Sequence, residues 1–154
     1  MSPHDPLGEH PLTAVATVAQ TRLAAGDAGA LLALAGHENE VVREMLAQEL
    51  WRAAEAGRDL RSALPAFERL LRDRDVGGVI FHTTRALLAA VRNGLDVSGL
   101  VPTLAKNVDE FYYPDEGWAS GRDLIADNDR HSYHWGRDTV LILEQHARNV
   151  RGDG

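Results

Sequence analysis

Apolar residues recur at three- and four-residue spacing along most of this chain, which is the pattern of helices that bury one face. The first stripe consists of Leu12, Val15, Ala16, Ala19 and Leu23. It predicts a helix that ends near Gly26. A second, shorter helix is predicted after Asp27, whose carboxylate can cap it, and Gly36 can end that helix in a left-handed conformation. The pattern therefore predicts an all-α fold.

A longer helix is predicted to begin at Asn39. It carries the pair Val42-Arg43 at the start of an apolar stripe that continues along one side. The stripe on that helix includes Met45, Leu46, Glu49, Leu50 and Ala53. The stripe on the next helix consists of Leu60, Leu64, Phe67, Leu70 and Leu71. Burying side chains of this size stabilises a fold by roughly 1.5–3 kcal/mol each, so these stripes define the predicted core.

The chain also repeats itself at an offset of 37 residues. Residues 59–71 align without gaps on residues 96–108, and both segments carry a proline at the same place, Pro65 and Pro102. The same offset places Leu50, Ala53 and Gly57 on Leu87, Ala90 and Gly94. A period in this range is typical of stacked helix pairs, which commonly serve as binding surfaces.

The residues of these copies resemble HEAT-like repeats. The resemblance lies in Val42-Arg43, Leu46 and Leu50 of a second helix, and in the prolines of the first helices. It covers residues 27–149 and implies an α-α superhelix, or α-solenoid, of about three antiparallel helix pairs. In the third copy the first helix carries Val97, Leu100, Val101, Leu104 and Val108. After an insertion, its second helix carries Tyr133, Arg137, Val140 and Leu141.

The predicted organisation is a flexible tail over residues 1–10 and a single domain over 11–150, with the insertion at 110–129. Residues 111–135 hold six of the nine Phe, Tyr and Trp residues, mixed with carboxylates. Aromatic side chains are favoured at interface centres, and acidic residues select charged partners. The predicted partner-binding residues are Phe111, Tyr112, Tyr113, Asp115, Glu116, Trp118, Asp123 and Trp135. A cap over the end of a short solenoid explains the same composition, and both interpretations stay open.

One short stretch hints at metal chemistry, since it places two carboxylates and two imidazoles within eight residues. These residues are Asp127, Asp129, His131 and His134. Oxygen and imidazole ligands together suit a divalent transition metal, and the two histidines share a helix face if a helix begins there. A turn followed by a helix cap has the same composition. His82 is interpreted as a core residue with satisfied hydrogen bonds.

Charge and composition exclude several classes of function. The formal net charge of −7 argues against binding to nucleic acid and favours a basic protein partner. The arginines Arg69, Arg72 and Arg74 lie among Glu68, Asp73 and Asp75, and they are interpreted as a solvated helix end. No membrane span, secretion signal or cysteine is present, which predicts a cytoplasmic protein. The high ratio of arginine to lysine, with much alanine, indicates a GC-rich bacterial genome.

The sequence favours a protein without catalytic activity that binds another protein, because phosphate-loop, nucleophile-elbow and zinc-protease signatures are missing. The most concrete version is an inhibitory or immunity-type protein that covers a basic partner, such as a bacterial nuclease toxin. Two alternatives stay open. One is a metal-dependent enzyme or metal-binding protein that uses Asp127, His131 and His134, and the other is an assembly scaffold, including a homodimer. The interaction module needs no cofactor.

Overall fold

The computed structural model describes residues 14–75, 78–108, 110 and 136–152. The regular structure of these residues consists of seven α-helices and two 3-10 helices, and it includes no β-strand. The α-helices are α1 (Val15–Ala24), α2 (Ala28–Ala35), α3 (Glu40–Glu55), α4 (Leu64–Leu70), α5 (Val79–Arg92), α6 (Val101–Asn107) and α7 (Gly136–Arg151). The prediction of an all-α fold is confirmed for the described residues.

The chain divides into two compact units, Met1–Leu95 and Asp96–Gly154. In the first unit α3 packs against both α1 and α5, while α2 packs against α4. Helix α2 also contacts α1 and α3, and α4 contacts α5. The odd-numbered helices thus form one layer of this unit, and α2 and α4 form the other. In the second unit α7 packs against α6 and against the 3-10 helix Ser98–Leu100.

Two side chains cap helices of the first unit as predicted. The backbone N–H of Ala30 donates to Asp27 Oδ1 at 3.1 Å, which satisfies one of the unpaired donors in the first turn of α2. In α3 the N–H of Val41 donates to Asn39 Oδ1 at 2.9 Å. The predicted left-handed end of α2 is wrong, since Gly36 has a φ of −97°. Its N–H donates to the carbonyl of Leu32, so the helix closes without a left-handed residue.

The predicted apolar stripes supply most of the core of the first unit. Phe67, Leu70 and Leu71 are fully buried, and so is Leu46 of α3. The predicted register of α7 is right at Val140, which is buried, and wrong at Leu141, which is 59 % exposed. The buried stripe continues from Val140 to Leu143 and Ala147.

The two aligned segments adopt the same local structure. The 3-10 helices Arg61–Ala63 and Ser98–Leu100, and then α4 and α6, begin and end at positions 37 residues apart. Gly57 and Gly94 share a positive φ, at 73° and 89°. The N–H of Arg61 donates to Asp59 Oδ1 at 3.0 Å, and the equivalent N–H of Ser98 donates to Asp96 at 2.9 Å. Aligned positions of the two segments therefore form turns with the same backbone conformation.

Replacing Gly57 by alanine is expected to lower the free energy of unfolding by about 1 kcal/mol, because a Cβ is strained at positive φ. The added Cβ would meet no atom within 4 Å, so the backbone conformation alone sets the effect. Gly99→Ala is the matched control, since its Cβ is equally unobstructed and its φ is not positive. Urea unfolding followed by circular dichroism compares the two variants, and equal effects would contradict this interpretation.

Long-range side-chain hydrogen bonds of the first unit span a narrow range of sequence separation. Between described residues these separations run from 29 residues, for Gln20 and Glu49, to 39 residues, for Asn93 and Ala54. They lie close to the 37-residue offset of the sequence alignment. Within the described part of the chain, none of the helices combines the length and the apolar composition that a membrane crossing needs.

Candidate functional site

All the predicted partner-binding and metal-binding residues lie outside the described residues. This applies to Phe111, Tyr112, Tyr113, Asp115, Glu116, Trp118, Asp123 and Trp135, and equally to Asp127, Asp129, His131 and His134. In the described residues no group of three or more His, Asp and Glu side chains could hold a metal ion. The candidate site that can be built from described residues is therefore a different one.

That site is a surface shared by α3 and α5, which are neighbours in the same layer of the first unit. The guanidinium carbon of Arg85 lies 3.7 Å from the ring centroid of Trp51 and 4.9 Å from that of Phe81. Both distances are within the range of attractive cation–π contacts. All three residues are partly exposed. We call Trp51, Phe81, His82 and Arg85 the α3–α5 surface.

His82 lies at the edge of this surface, beside polar side chains of α3. Its Nε2 is 3.3 Å from Gln48 Nε2 and 3.7 Å from Glu44 Oε1. Burial lowers the pKa of His82, and the charges of Arg85 and Arg52 lower it further. The ring is consequently neutral at pH 7, so its approach to Glu44 is not an ion pair.

The Nδ1 atom of His82 is buried and has no hydrogen-bond partner among the residues that the structure describes. The interpretation of His82 as a satisfied core residue is therefore wrong. A buried polar atom without a partner lowers stability, and such atoms are uncommon in folded proteins. Gly78 packs closely against the other side of this ring, since a Cβ at that position would clash with Glu44 Oε1 and lie 3.1 Å from His82 Cδ2.

The other cations of this layer have carboxylate partners. Arg52 forms an ion pair with Glu49, and Arg92 lies 4.0 Å from Glu55. The indole N–H of Trp51 also donates to Glu55, at 3.1 Å. In the described part of the chain Arg85 has no carboxylate within ion-pair distance. Its guanidinium is held by the faces of two rings, so its N–H edges remain available to a ligand or to water.

A second charged cluster is buried in the first unit and has a structural role. Arg43 Nε donates to Asp73 Oδ2 at 2.7 Å, and the guanidinium also forms an ion pair with Asp75. Arg43 Nη1 donates to the backbone carbonyls of His37 and Glu38, at 2.7 and 3.2 Å. The interpretation of Asp73 as a solvated charge is wrong, since its side chain is only 2 % exposed. The cluster joins the α2–α3 loop to the segment after α4.

Two cavities of about 380 and 350 Å³ flank residues 57–61, and Arg58 and Asp59 line both of them. Hydrogen bonds from the side chain and backbone of Arg61 lower the pKa of Asp59 to about 2. Arg58 donates to the side-chain oxygen of Gln20. The charged groups of these cavities are thus engaged with neighbouring side chains, which favours a structural role for this end of the unit.

The α3–α5 surface combines a cation, two rings and an imidazole. The neutral imidazole of His82 is a base by type, but Trp51, Phe81 and Arg85 offer no nucleophile for it to activate. The sequence does not reveal the α3–α5 surface, because Trp51 of α3 meets Phe81 and Arg85 of α5 only when the two helices pack together. The available signal was the i, i+4 spacing of Phe81 and Arg85, which puts a ring and a cation on one helix face. Comparison with protein families, with curated proteins and with solved structures finds no match to this chain.

Proposed function

We propose that this chain is a HEAT-like α-solenoid that acts as a non-catalytic protein–protein interaction module. The packing of odd-numbered helices in one layer and of α2 against α4 in the other supports this architecture. The common local structure of segments 37 residues apart supports it as well. The two segments supply α4 and α6, and each of these helices packs against other helices of its own unit.

The observation that carries the function is the stack of Arg85 on Trp51 and Phe81. Trp and Arg are the residues most enriched among those that dominate binding energy at protein interfaces. Here they are partly exposed on neighbouring helices, and the stacking holds them in one arrangement. A surface whose side chains are already ordered loses less conformational entropy when a partner binds.

The overall charge favours a partner that is basic as a whole. The formal net charge is −7, and residues 111–135 contribute five Asp or Glu against two Arg. Opposite net charges accelerate association and select against acidic proteins. An inhibitory or immunity-type protein that covers a basic partner is the most specific role that agrees with this charge. The α3–α5 surface and residues 111–135 would then both contribute to binding.

The test is capture of a partner from native cells on untagged protein, followed by titration of the purified partner. Trp51→Ala is expected to weaken binding by about 2 kcal/mol, or roughly thirtyfold, because the ring supplies contact area and orders Arg85. Arg72→Ala is the control, since Arg72 is exposed and pairs only locally with Glu68. Circular dichroism checks that both variants keep their helix content.

A deletion of residues 111–129 tests the contribution of the predicted binding residues in the same titration. Binding is also expected to weaken with added salt, because charge attraction between the two proteins is screened. A folded Trp51→Ala variant that binds like the wild type would remove the α3–α5 surface from the proposal. Absence of any stoichiometric partner would contradict the interaction module as a whole.

A further inference from the structure

We infer that Arg85 binds a carboxylate side chain, Asp or Glu, of the protein partner. This inference rests on the proposed interaction function and adds the chemistry of one contact to it. It also gives the partner a defined feature, an acidic residue within an otherwise basic surface. The contact would lie at the centre of the α3–α5 surface, between Trp51 and Phe81.

The geometry around Arg85 provides the first argument. The guanidinium carbon lies over the ring faces of Trp51 and Phe81, at 3.7 and 4.9 Å from their centroids. A stacked face leaves the planar edge of N–H donors, and this edge matches the two oxygens of a carboxylate. The rings also fix the side chain before any ligand arrives. A bidentate contact can therefore form without ordering a long, mobile arginine.

The charges of the neighbouring groups provide the second argument. Arg52 and Arg92 have carboxylate partners within the described residues, whereas Arg85 has none there. Burial in a partly desolvated interface would leave this one cation uncompensated unless the partner supplies an anion. Charge complementarity therefore favours a negative group opposite Arg85.

The same neighbours favour a singly charged anion over a phosphate. Glu44 lies beside His82 and Glu55 accepts from the Trp51 indole, and both carboxylates repel a dianion about twice as strongly as a monoanion. His82 adds no compensating positive charge, because burial and the two nearby arginines lower its pKa and keep it neutral. A carboxylate brings one negative charge to one guanidinium. Its aliphatic stem can also contact the rings of Trp51 and Phe81.

Peptide selection tests this contact without knowledge of the natural partner. A phage library of random peptides is selected on immobilised wild-type protein, and the enriched peptides are then titrated against variants. We expect the enriched peptides to share an Asp or Glu residue, and replacement of that residue by its amide to weaken binding about tenfold or more. Arg85→Gln should cause a similar loss, and Arg85→Lys a smaller one, because lysine keeps the charge but not the planar fork.

Arg72→Gln serves as the control variant, and circular dichroism verifies the fold of each protein. Enriched peptides without a common carboxylate, or with unchanged affinity for Arg85→Gln, would overturn the inference. The same holds if no peptide is enriched, or if inorganic phosphate competes more strongly than acetate at equal concentration. A partner captured from cells that depends on Trp51 but not on Arg85 would leave the proposed function standing and remove only the carboxylate contact.

Discussion

Replacing Arg43 by alanine is expected to lower the free energy of unfolding by about 3–5 kcal/mol. The guanidinium is 10 % exposed and donates to Asp73, Asp75 and two backbone carbonyls. Its removal takes the cation away from a carboxylate that is 2 % exposed, and the desolvation of that carboxylate is no longer offset. A loss of this size is a large fraction of the stability of an ordinary domain.

Urea unfolding measured by circular dichroism provides the test for Arg43. Arg72→Ala is the matched control, since Arg72 forms one exposed ion pair with Glu68 at 2.8 Å and should change stability by about 1 kcal/mol or less. The double variant Arg43→Met/Asp73→Asn should recover part of the loss, because it removes the buried negative charge as well. A single Arg43→Ala variant as stable as Arg72→Ala would show that the buried pair contributes nothing to the fold.

Replacing Phe67 by alanine is expected to have a comparable effect, about 3–5 kcal/mol, through loss of packing and not of charge. Phe67 is the largest of the fully buried side chains and belongs to α4, which packs against α2 and α5. Truncation leaves a cavity that rigid helices on both sides can fill only in part.

The control for Phe67 is Leu32→Ala, because Leu32 lies on α2 in the same layer but is 42 % exposed. We expect its effect to stay near 0.5 kcal/mol, since little apolar surface is lost. Both variants are compared by urea midpoint and by the slope of the transition. A Phe67→Ala variant that unfolds at the wild-type midpoint would mean that the α2–α4 contact does not hold this unit together.

Features that depend on neighbouring residues could be predicted from the sequence. The caps at Asp27 and Asn39 follow from local hydrogen bonding, and the structure contains both of them. The buried positions of α3 and α4 follow from helical periodicity in the same way. The alignment also pairs Gly57 with Gly94, and in the structure these two residues share a positive φ.

Features that depend on residues far apart in the chain could not be predicted in this way. The pairing of Arg43 with Asp73 joins residues 30 positions apart, and Asp73 looks like a solvated charge when viewed alone. Leu141 illustrates a different limit, because an insertion before α7 removes the fixed offset that sets the helix register. The stack of Arg85 on Trp51 arises only when α3 and α5 pack side by side. The periodicity of one helix cannot predict a contact between side chains of two helices.

The narrow range of sequence separation in the first unit also bears on how the chain assembles. The long-range side-chain hydrogen bonds between its described residues close loops of 29 to 39 residues, so these contacts form without a more distant segment. Loops of similar and moderate length close at similar entropic cost. During synthesis each helix of Met1–Leu95 can therefore dock once the segment 29 to 39 residues further along has left the ribosome.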